Sequence, residues 1–128
     1  MFKHSNYKRG KLGEKIAKTF LAQKGYRIID SNFQTRFGEI DLIATKGKKL
    51  VFVEVKLKIG VQFGQPEEMI GQAKISQVQK TAAAFLKTRS KIAAIYPFYQ
   101  IDAVCIVLKQ DKTLLRINHY ENIGDELA

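Results

Sequence analysis

Two apolar runs joined by a short polar segment constrain the fold of this chain more than any other feature. The first reads FGEIDLIA at residues 37–44, and the second reads LVFVEVKL at residues 50–57. Between them lies TKGKK, a glycine-containing segment typical of a turn. Two such runs with a short turn predict an antiparallel β-hairpin. The sequence therefore predicts a sheet that contains this hairpin.

Two helices flank this hairpin in the sequence. Residues 11–23 form the first predicted helix, because their apolar residues fall on one side at about 100° per residue. A second helix is predicted from Pro66 to Lys87, since proline favours the first helical position and a periodic apolar pattern follows it. The other predicted strands are residues 26–29, 99–108 and 113–120.

The order of these elements is αβββαββ, which predicts an α/β fold with a mixed central sheet flanked by helices. The chain has 128 residues and no linker-like segment, which predicts a single domain over residues 1–128. Hydrophobic residues make up 45% of the chain, enough for a core without disulfides. The single cysteine, Cys105, lies in an apolar run and is interpreted as a packed core thiol.

The charge of the chain predicts a polyanionic partner. Lys and Arg number 22 against 12 Asp and Glu, a net charge of +10, which favours nucleic acid. An anionic membrane surface is disfavoured, because no predicted helix pairs a basic face with a broad aromatic face. The N-terminus has no apolar signal region, and no apolar stretch approaches the length of a membrane span. We therefore expect a soluble, cytoplasmic protein with no membrane partner.

Charged side chains embedded in the hairpin predict the functional site. Because successive side chains of a strand alternate between faces, Glu54 and Lys56 point to the same face. If the hairpin pairs as predicted, Asp41 of the first run lies near Glu54. A buried acid is costly unless it is paired or binds a cation. Two acids and a lysine within runs otherwise suited to burial therefore predict a functional cluster.

Two further acids lie close to this cluster. The alternation rule places Glu39 on the same strand face as Asp41, opposite Ile40 and Leu42. Glu39 is interpreted as a structural or supporting residue in preference to an additional ligand. Glu14 lies at the edge of the apolar arc of the first helix, where it can face the core margin or a cleft.

Phosphodiester hydrolysis explains why two acids and a lysine should converge. Asp41 and Glu54 can hold Mg²⁺ or Mn²⁺, with the backbone carbonyl of Val55 as a third ligand. The ion would lower the pKa of a bound water and stabilise charge on a phosphodiester oxygen. Lys56 can orient or deprotonate the attacking water. The alternative is that Lys56 only forms a salt bridge with an acid on an exposed sheet face.

Several strings of sequence carry a resemblance to a known family. They are GEIDLI, LVFVEVK, FGQP and the earlier GE on the first helix. With the Asp…Glu-X-Lys pattern, they resemble the YraN-like family of small bacterial proteins within the PD-(D/E)xK nuclease superfamily, over roughly Gly10 to the C-terminus. This family is similar to archaeal Holliday-junction resolvases. The resemblance implies a restriction-endonuclease-like fold, a divalent metal, branched or otherwise structured DNA as substrate, and a homodimer.

The resemblance also implies roles for individual residues. The catalytic positions of the superfamily match Asp41, Glu54 and Lys56. Glu14 matches the helical acid that completes the metal site of the resolvase-like branch. Gln72 or Lys74 falls where related enzymes carry a supporting polar residue.

The chain departs from the family pattern at three points, none of which removes a catalytic group. The proline of the motif's name is absent, with Glu39 and Ile40 preceding Asp41. Lys58 stands where relatives often have arginine, which keeps the charge but loses a bidentate donor. Lys46 replaces a turn acid.

Other candidates have simpler interpretations. Asp102 begins a strand, where a capping or sheet-edge role is at least as fitting as catalysis. His4 and His119 lack the spacing of zinc ligands. Phe63 could stack on a base, but an anchoring role in its loop is favoured. The basic residues expected to contact phosphates are Lys8, Arg9, Lys11, Arg36, Lys48, Lys49 and Lys58.

Two other classes of function stay open from the sequence. One is a nucleic-acid-binding module with little or no catalysis, which keeps the site as a relic of the fold. The other is an accessory protein whose basic face binds an acidic protein partner. A DNA cleavage assay separates the enzyme from both, and salt-dependent DNA binding separates the two from each other.

Overall fold

The computed structural model describes residues 2–60, 62 and 64–124, with side chains from residue 8 onward. Phe63 lies outside the described residues, so its role stays a prediction. Within the described ranges, no helix combines the length and the apolar character needed to cross a membrane. Along the chain the elements are α1 (Phe2–Gln23), β1 (Arg27–Thr35), β2 (Gly38–Lys46), β3 (Lys49–Ile59), a 3₁₀ turn (Pro66–Met69), α2 (Gln72–Thr88), α3 (Ser90–Ile95), β4 (Phe98–Leu108) and β5 (Leu114–Tyr120).

The strands form one sheet in the order β1-β2-β3-β4-β5. Neighbouring strands are antiparallel except β3 and β4, which are parallel and in register from Lys49–Phe98 to Ile59–Leu108. Parallel neighbours require a crossover connection, and the segment with α2 and α3 supplies it. The predicted β2–β3 hairpin and the mixed α/β fold with a central sheet and helices are confirmed.

Each face of the sheet carries its own apolar core. Ala17 and Leu21 of α1 pack on one face, and Val78, Ala82 and Phe85 of α2 pack on the other. The strand residues on the α1 face are Leu42, Ala44, Val51, Val53, Val104, Ile106 and Leu108, and those on the α2 face are Ile40, Ile43, Leu50, Phe52 and Ile101. The face of a strand residue therefore decides which helix its side chain meets.

The helices differ from the prediction in three ways. The first helix, α1, begins at Phe2, well before the predicted start at residue 11. The predicted second helix is divided, because Gly71 adopts an extended conformation between the 3₁₀ turn and α2. Glycine pays the largest entropy cost in a helix, which favours a break there. α3 was not predicted, since its short length shows no clear period.

The predicted alternation of β2 is wrong at Asp41. Ile40 packs on the α2 face and Leu42 on the α1 face, although they are two residues apart. Opposite Asp41 in β1 lies Asn32, whose φ is 55°. A left-handed residue leaves the extended conformation that alternation assumes, and asparagine adopts it at low cost. Both strands therefore change faces beside the predicted functional cluster.

Gly13 lets α1 approach β3 closely. A Cβ atom at Gly13 would lie 3.2 Å from Leu57 Cβ and 3.4 Å from Val55 Cγ1. A larger side chain there would push the helix away from the strand. The close approach places the next residue, Glu14, beside β2 and β3, where it is buried.

Phe85 provides a test of the core on the α2 face. Its buried ring packs edge-on against Phe33 at 5.1 Å and Phe52 at 5.6 Å between centroids. Phe85→Ala should lower the free energy of unfolding by about 3–5 kcal/mol, because it leaves a cavity. Urea denaturation measures the change. Leu115→Ala, an exposed position on β5, should cost less than about 0.5 kcal/mol, and equal losses for the two variants would contradict the packing.

Candidate active site

The two strands of the hairpin part at Asp41. The β2–β3 ladder ends at the pair Leu42–Val53. Beyond it, Oδ2 of the Asp41 carboxylate accepts a hydrogen bond from the Val55 N–H at 2.7 Å. In an extended strand the N–H and C=O of one residue point to the same neighbour, so the Val55 carbonyl also points toward this gap. Side chains from α1, β2 and β3 can meet there.

Three carboxylates converge beside the gap. Glu14 on α1 and Glu39 and Asp41 on β2 each offer an oxygen, and these oxygens lie within 4.8 Å of one another. With Lys11 and Asn32 they line a cleft of about 330 Å³, which we call the acidic cleft. Carboxylate oxygens at this spacing suit a hard divalent cation such as Mg²⁺.

Asn32 links two of these carboxylates and was missed by the sequence analysis. Its side-chain amide donates to Glu14 Oε2 at 2.9 Å and to Glu39 Oε1 at 2.7 Å. Its Oδ1 accepts a hydrogen bond from Lys11 Nζ at 2.8 Å. Polar residues at 30–32 interrupt the first strand, and this is the signal that could have identified it.

Glu54 lies on the other side of the gap, between two lysines. Its side chain is 3% exposed, and its Oε1 is 3.5 Å from Lys56 Nζ and 3.6 Å from Lys74 Nζ. Its buried Oε2 has no hydrogen-bond partner among the described residues. Such an atom is costly unless a cation or a water satisfies it. Of the two supporting candidates, Lys74 reaches the site, whereas Gln72 is exposed at the start of α2.

Burial raises the pKa of both acids of the hairpin, and like charge adds to the shift of Asp41. Burial, followed by the negative charge of Glu54, raises the pKa of Asp41 from 3.8 to about 7, although the hydrogen bond from Val55 lowers it. Burial also raises the pKa of Glu54, and the ammonium groups of Lys74 and Lys56 oppose that shift. A cation bound here would favour the deprotonated form of both carboxyls.

The predicted metal ligands Glu14, Asp41 and Glu54 come together in part. Glu14 and Asp41 belong to one group of carboxylates, and the third member of that group is Glu39. Glu39 was interpreted from the sequence as a supporting residue, yet it lies within reach of the same cation. Glu54 is a neighbour of the group, since its charge acts on Asp41. The ligand roles of Glu54 and of the Val55 carbonyl stay predictions.

The basic residues predicted to contact phosphates are spread along the molecule. Lys11 lines the acidic cleft, and Arg36 is exposed in the turn before β2. Lys48 lies in the β2–β3 turn and Lys49 begins β3, and Lys49 is about 17 Å from Glu54 at roughly 3.3 Å per strand residue. The structure does not bring these two lysines together with the site. The others, toward the far end of β3, are Lys8, Arg9 and Lys58.

A further buried acid, Asp102 on β4, pairs with His119 on β5. Asp102 Oδ2 is 2.8 Å from His119 Nε2, and its Oδ1 accepts the Asn122 N–H at 2.9 Å. Lys24 Nζ lies 2.5 Å from His119 Nδ1, so Nδ1 accepts and Nε2 donates to Asp102. Asp102 thus connects the segment after β5 to the sheet through Asn122, and it connects β4 to β5 through His119. This is the structural role that the sequence left open.

Comparison with known proteins points to one family. The family model described as "Uncharacterised protein family UPF0102" matches residues 13–106. A UPF0102 protein of Syntrophomonas wolfei is 38% identical over 117 residues, which cover 91% of this chain and 97% of that protein. A UPF0102 protein of Natranaerobius thermophilus is 40% identical over 117 residues, 90% of this chain and 95% of that protein. The matched range contains the three carboxylates of the acidic cleft and both lysines beside Glu54.

The raised pKa of Asp41 predicts a pH-dependent gain in stability for Asp41→Asn without metal. Its carboxyl has a higher pKa folded than unfolded, so the wild type loses stability as the pH rises from about 4 to about 7. The variant should therefore be more stable by more than about 1 kcal/mol at pH 8 and gain nothing at pH 3.5. Urea denaturation across this range with chelator measures the difference, and a gain independent of pH would contradict it.

Asn32→Gly separates the two roles of Asn32, its left-handed backbone and the hydrogen bonds that its amide donates. Glycine accepts the left-handed backbone, so the melting temperature should stay equal or rise. The variant loses both donors to Glu14 and Glu39, and calorimetric Mn²⁺ affinity should fall at least roughly tenfold. Asn122→Gly is the matched control, because Asn122 has a φ of 56° outside the acidic cleft. Unchanged Mn²⁺ affinity in Asn32→Gly would show that the amide does not position the carboxylates.

Proposed function

The chain belongs to the UPF0102 family, as its motifs indicated, and we propose that it is a divalent-metal-dependent endonuclease that hydrolyses phosphodiester bonds of DNA. The observation that carries the proposal is the convergence of Glu14, Glu39 and Asp41 within 4.8 Å. The adjacent contact between Glu54 and Lys56 supports it. The net charge of +10 supports a polyanionic substrate.

The residues of the site fit Mg²⁺ or Mn²⁺. Glu14, Glu39 and Asp41 would hold the ion through carboxylate oxygens, and the unpartnered Glu54 Oε2 is a further oxygen beside them. When bound, the metal supplies an activated water and a positive charge that stabilises a phosphodiester oxygen. Asn32 holds the Glu14 and Glu39 side chains in place for this purpose.

Lys56 is the residue that would act on the attacking water. Its ammonium lies 3.5 Å from Glu54 Oε1, which fixes the position of an otherwise flexible side chain. From there it orients the water and offsets charge on the phosphate. Lys74 is 3.6 Å from the same carboxylate oxygen. One lysine therefore balances Glu54, and the other leaves a positive charge for the substrate.

The preferred substrate and the assembly follow from the resemblance to junction resolvases. We include branched or otherwise structured DNA in the proposal as the preferred substrate. A homodimer would bring two sites to the two strands that such an enzyme cuts. The expected cytoplasmic location stays a prediction.

One observation favours a second function, a nucleic-acid-binding module with little or no catalysis. Glu54 contacts two lysines and lies outside the group formed by Glu14, Glu39 and Asp41. In a binding module these lysines would serve only to neutralise a buried acid. The accessory-protein alternative requires an acidic protein partner, and weak, salt-independent DNA binding would favour it.

Cleavage of junction, flap, single-stranded and linear DNA tests the proposal, with Mg²⁺ or Mn²⁺ and with chelator. Asp41→Asn, Glu54→Gln and Lys56→Met should each lower the cleavage rate at least roughly 100-fold, since each removes a charge that the metal, the water or the phosphate needs. DNA binding by the two acid variants should be unchanged or slightly tighter, because less negative charge faces the phosphates.

Asp111→Asn is the matched control, since Asp111 is fully exposed in the β4–β5 turn. It should keep the wild-type rate. If the wild type binds DNA but cleaves none of the substrates with either metal, the binding module is supported instead. If all three site variants retain the wild-type rate, the activity belongs elsewhere.

A further inference from the structure

A cavity of about 220 Å³ lies where α1 passes the end of β3 and the turn between β4 and β5. Two residues of its wall are apolar, Leu12 of α1 and Ile59 at the end of β3. The other three are basic, Lys8 and Arg9 of α1 and Lys112 of the β4–β5 turn. We call this cavity the basic pocket. A helix, a strand and a turn that are distant in the sequence therefore bring three cations to one concave surface.

No acid among the described residues balances the charge of the basic pocket. Its described lining contains no Asp or Glu, and none of its three basic side chains forms an ion pair with a described carboxylate. Asp111, next to Lys112 in the chain, accepts hydrogen bonds from the Thr113 N–H at 3.0 Å and the Thr113 hydroxyl at 2.6 Å. Cations that share a cavity repel one another, so an anion bound among them would be attracted by all three.

An unusual backbone conformation holds Lys112 at the pocket. Its φ is 69°, in the left-handed region that lysine rarely adopts. The turn fixes this conformation, because the Lys112 N–H donates to the Lys109 carbonyl at 2.8 Å and the Lys109 N–H donates to the Thr113 carbonyl at 2.8 Å. Glycine or asparagine would fit the same backbone with less strain. A strained position that carries a lysine points to a use for its ammonium group.

Helix α1 separates the basic pocket from the acidic cleft. Arg9 and Leu12 of the pocket are three residues apart, and Gly10 and Glu14 of the cleft are four apart, so each pair shares one side of the helix. At about 100° per residue, these two sides of the helix are nearly opposite. An α-helix with its side chains is roughly 10–12 Å across. The basic pocket and the carboxylates therefore lie on two flanks of one rigid element, separated by about its width.

We propose that the basic pocket binds a sugar–phosphate unit of DNA on the far side of α1 from the phosphate that reacts. The phosphate lies among the three cations, where the Arg9 guanidinium can donate to two of its oxygens and the lysines act as point charges. The C–H groups of the deoxyribose face the apolar wall formed by Leu12 and Ile59. A sugar–phosphate carries both an anion and apolar C–H groups, and this pairing matches the two parts of the lining.

The separation of the two sites fits a continuous strand. Phosphates of one strand follow one another at about 3.4 Å along the helix axis, so roughly 10–12 Å corresponds to about three nucleotides. A contact to sugar and phosphate carries no sequence information, but it fixes the position and orientation of the DNA. The basic pocket would therefore position the DNA relative to the acidic cleft without reading its bases.

The proposal deepens the proposed function by naming a site that positions the DNA, and it rests on that function only for DNA as the partner. Binding is therefore measured with Asp41→Asn in the presence of chelator, so that cleavage does not affect the result. Fluorescence anisotropy of a short labelled duplex, repeated at several salt concentrations, gives both the affinity and its salt slope. All further substitutions are added to Asp41→Asn.

Lys112→Asn should weaken duplex binding at least roughly fivefold and lower the salt slope by about 0.9, the value for one phosphate contact. Asparagine tolerates the left-handed backbone, so the melting temperature should not fall. Lys109→Asn is the matched control, because Lys109 belongs to the same turn and is exposed, but does not line the pocket. This control should weaken binding less than roughly twofold.

Arg9→Gln tests whether two cations hold the same phosphate. Losing either cation should largely free a shared phosphate, so Arg9→Gln with Lys112→Asn should lose less affinity than the product of the two single losses. The salt slope of this double variant should fall by about 0.9, as in each single variant, and not by about 1.8.

Three results would overturn the proposal. The first is an equal effect of Lys112→Asn and Lys109→Asn, which would leave only the general charge of the surface. The second is a double variant whose two losses multiply, which would place the two cations on separate phosphates. The third is binding of a labelled polyglutamate peptide that requires Lys112 while duplex binding does not, which would assign the pocket to an acidic protein. Failure of DNA cleavage with an intact effect of Lys112→Asn would reject the nuclease and keep this pocket.

Discussion

The hydrogen bond from the Val55 amide to the Asp41 carboxylate is the interaction on which the functional part of the structure depends. It stands where the β2–β3 ladder would otherwise continue, and the two strands part there. A backbone amide that loses its ladder partner inside a protein needs another acceptor. Asp41 supplies that acceptor and is thereby held in a partly buried position beside Glu54. The same bond that ends the ladder therefore brings two acids together.

The opposing charges are separated across this bond. On the side of α1, Glu14, Glu39 and Asp41 face one another, and Lys11, Asn32 and Gln34 line the cleft as donors. On the other side, Glu54 is matched by two lysines. Like charges at such distances raise the free energy of the folded protein. A divalent cation would neutralise the three carboxylates, and a phosphate would neutralise the lysine charge beside Glu54. The carboxylates and the lysines therefore suit one reaction, the hydrolysis of a phosphodiester.

The sequence predicted the hairpin, the mixed sheet and the approach of Glu14 because each depends on a regular period, two for strands and 3.6 for the helix. The sequence-based prediction of strand faces failed where the two-residue alternation of a strand is interrupted. At Asn32 a φ of 55° breaks the alternation of β1 and β2, and the faces of Ile40 and Leu42 were consequently mispredicted. Asn32 itself was missed, because its importance comes from two partners that are distant in the chain. The distance of Lys48 and Lys49 from the site depends on the length of β3, which separates Lys49 from Glu54 by about 17 Å at roughly 3.3 Å per residue.

That length has a consequence for how binding and chemistry are related in this fold. Lys49 begins β3, and Glu54 lies midway along it. Paired residues join β3 to β4 without interruption from Lys49–Phe98 to Ile59–Leu108, so neither end can move relative to the other without breaking the central ladder. A group bound beside Lys49 would therefore lie at a distance from Glu54 that the sheet sets. Loops set such distances in many proteins and let them vary, whereas here the spacing between a group bound beside Lys49 and the Glu54 carboxylate would be a fixed property of the fold.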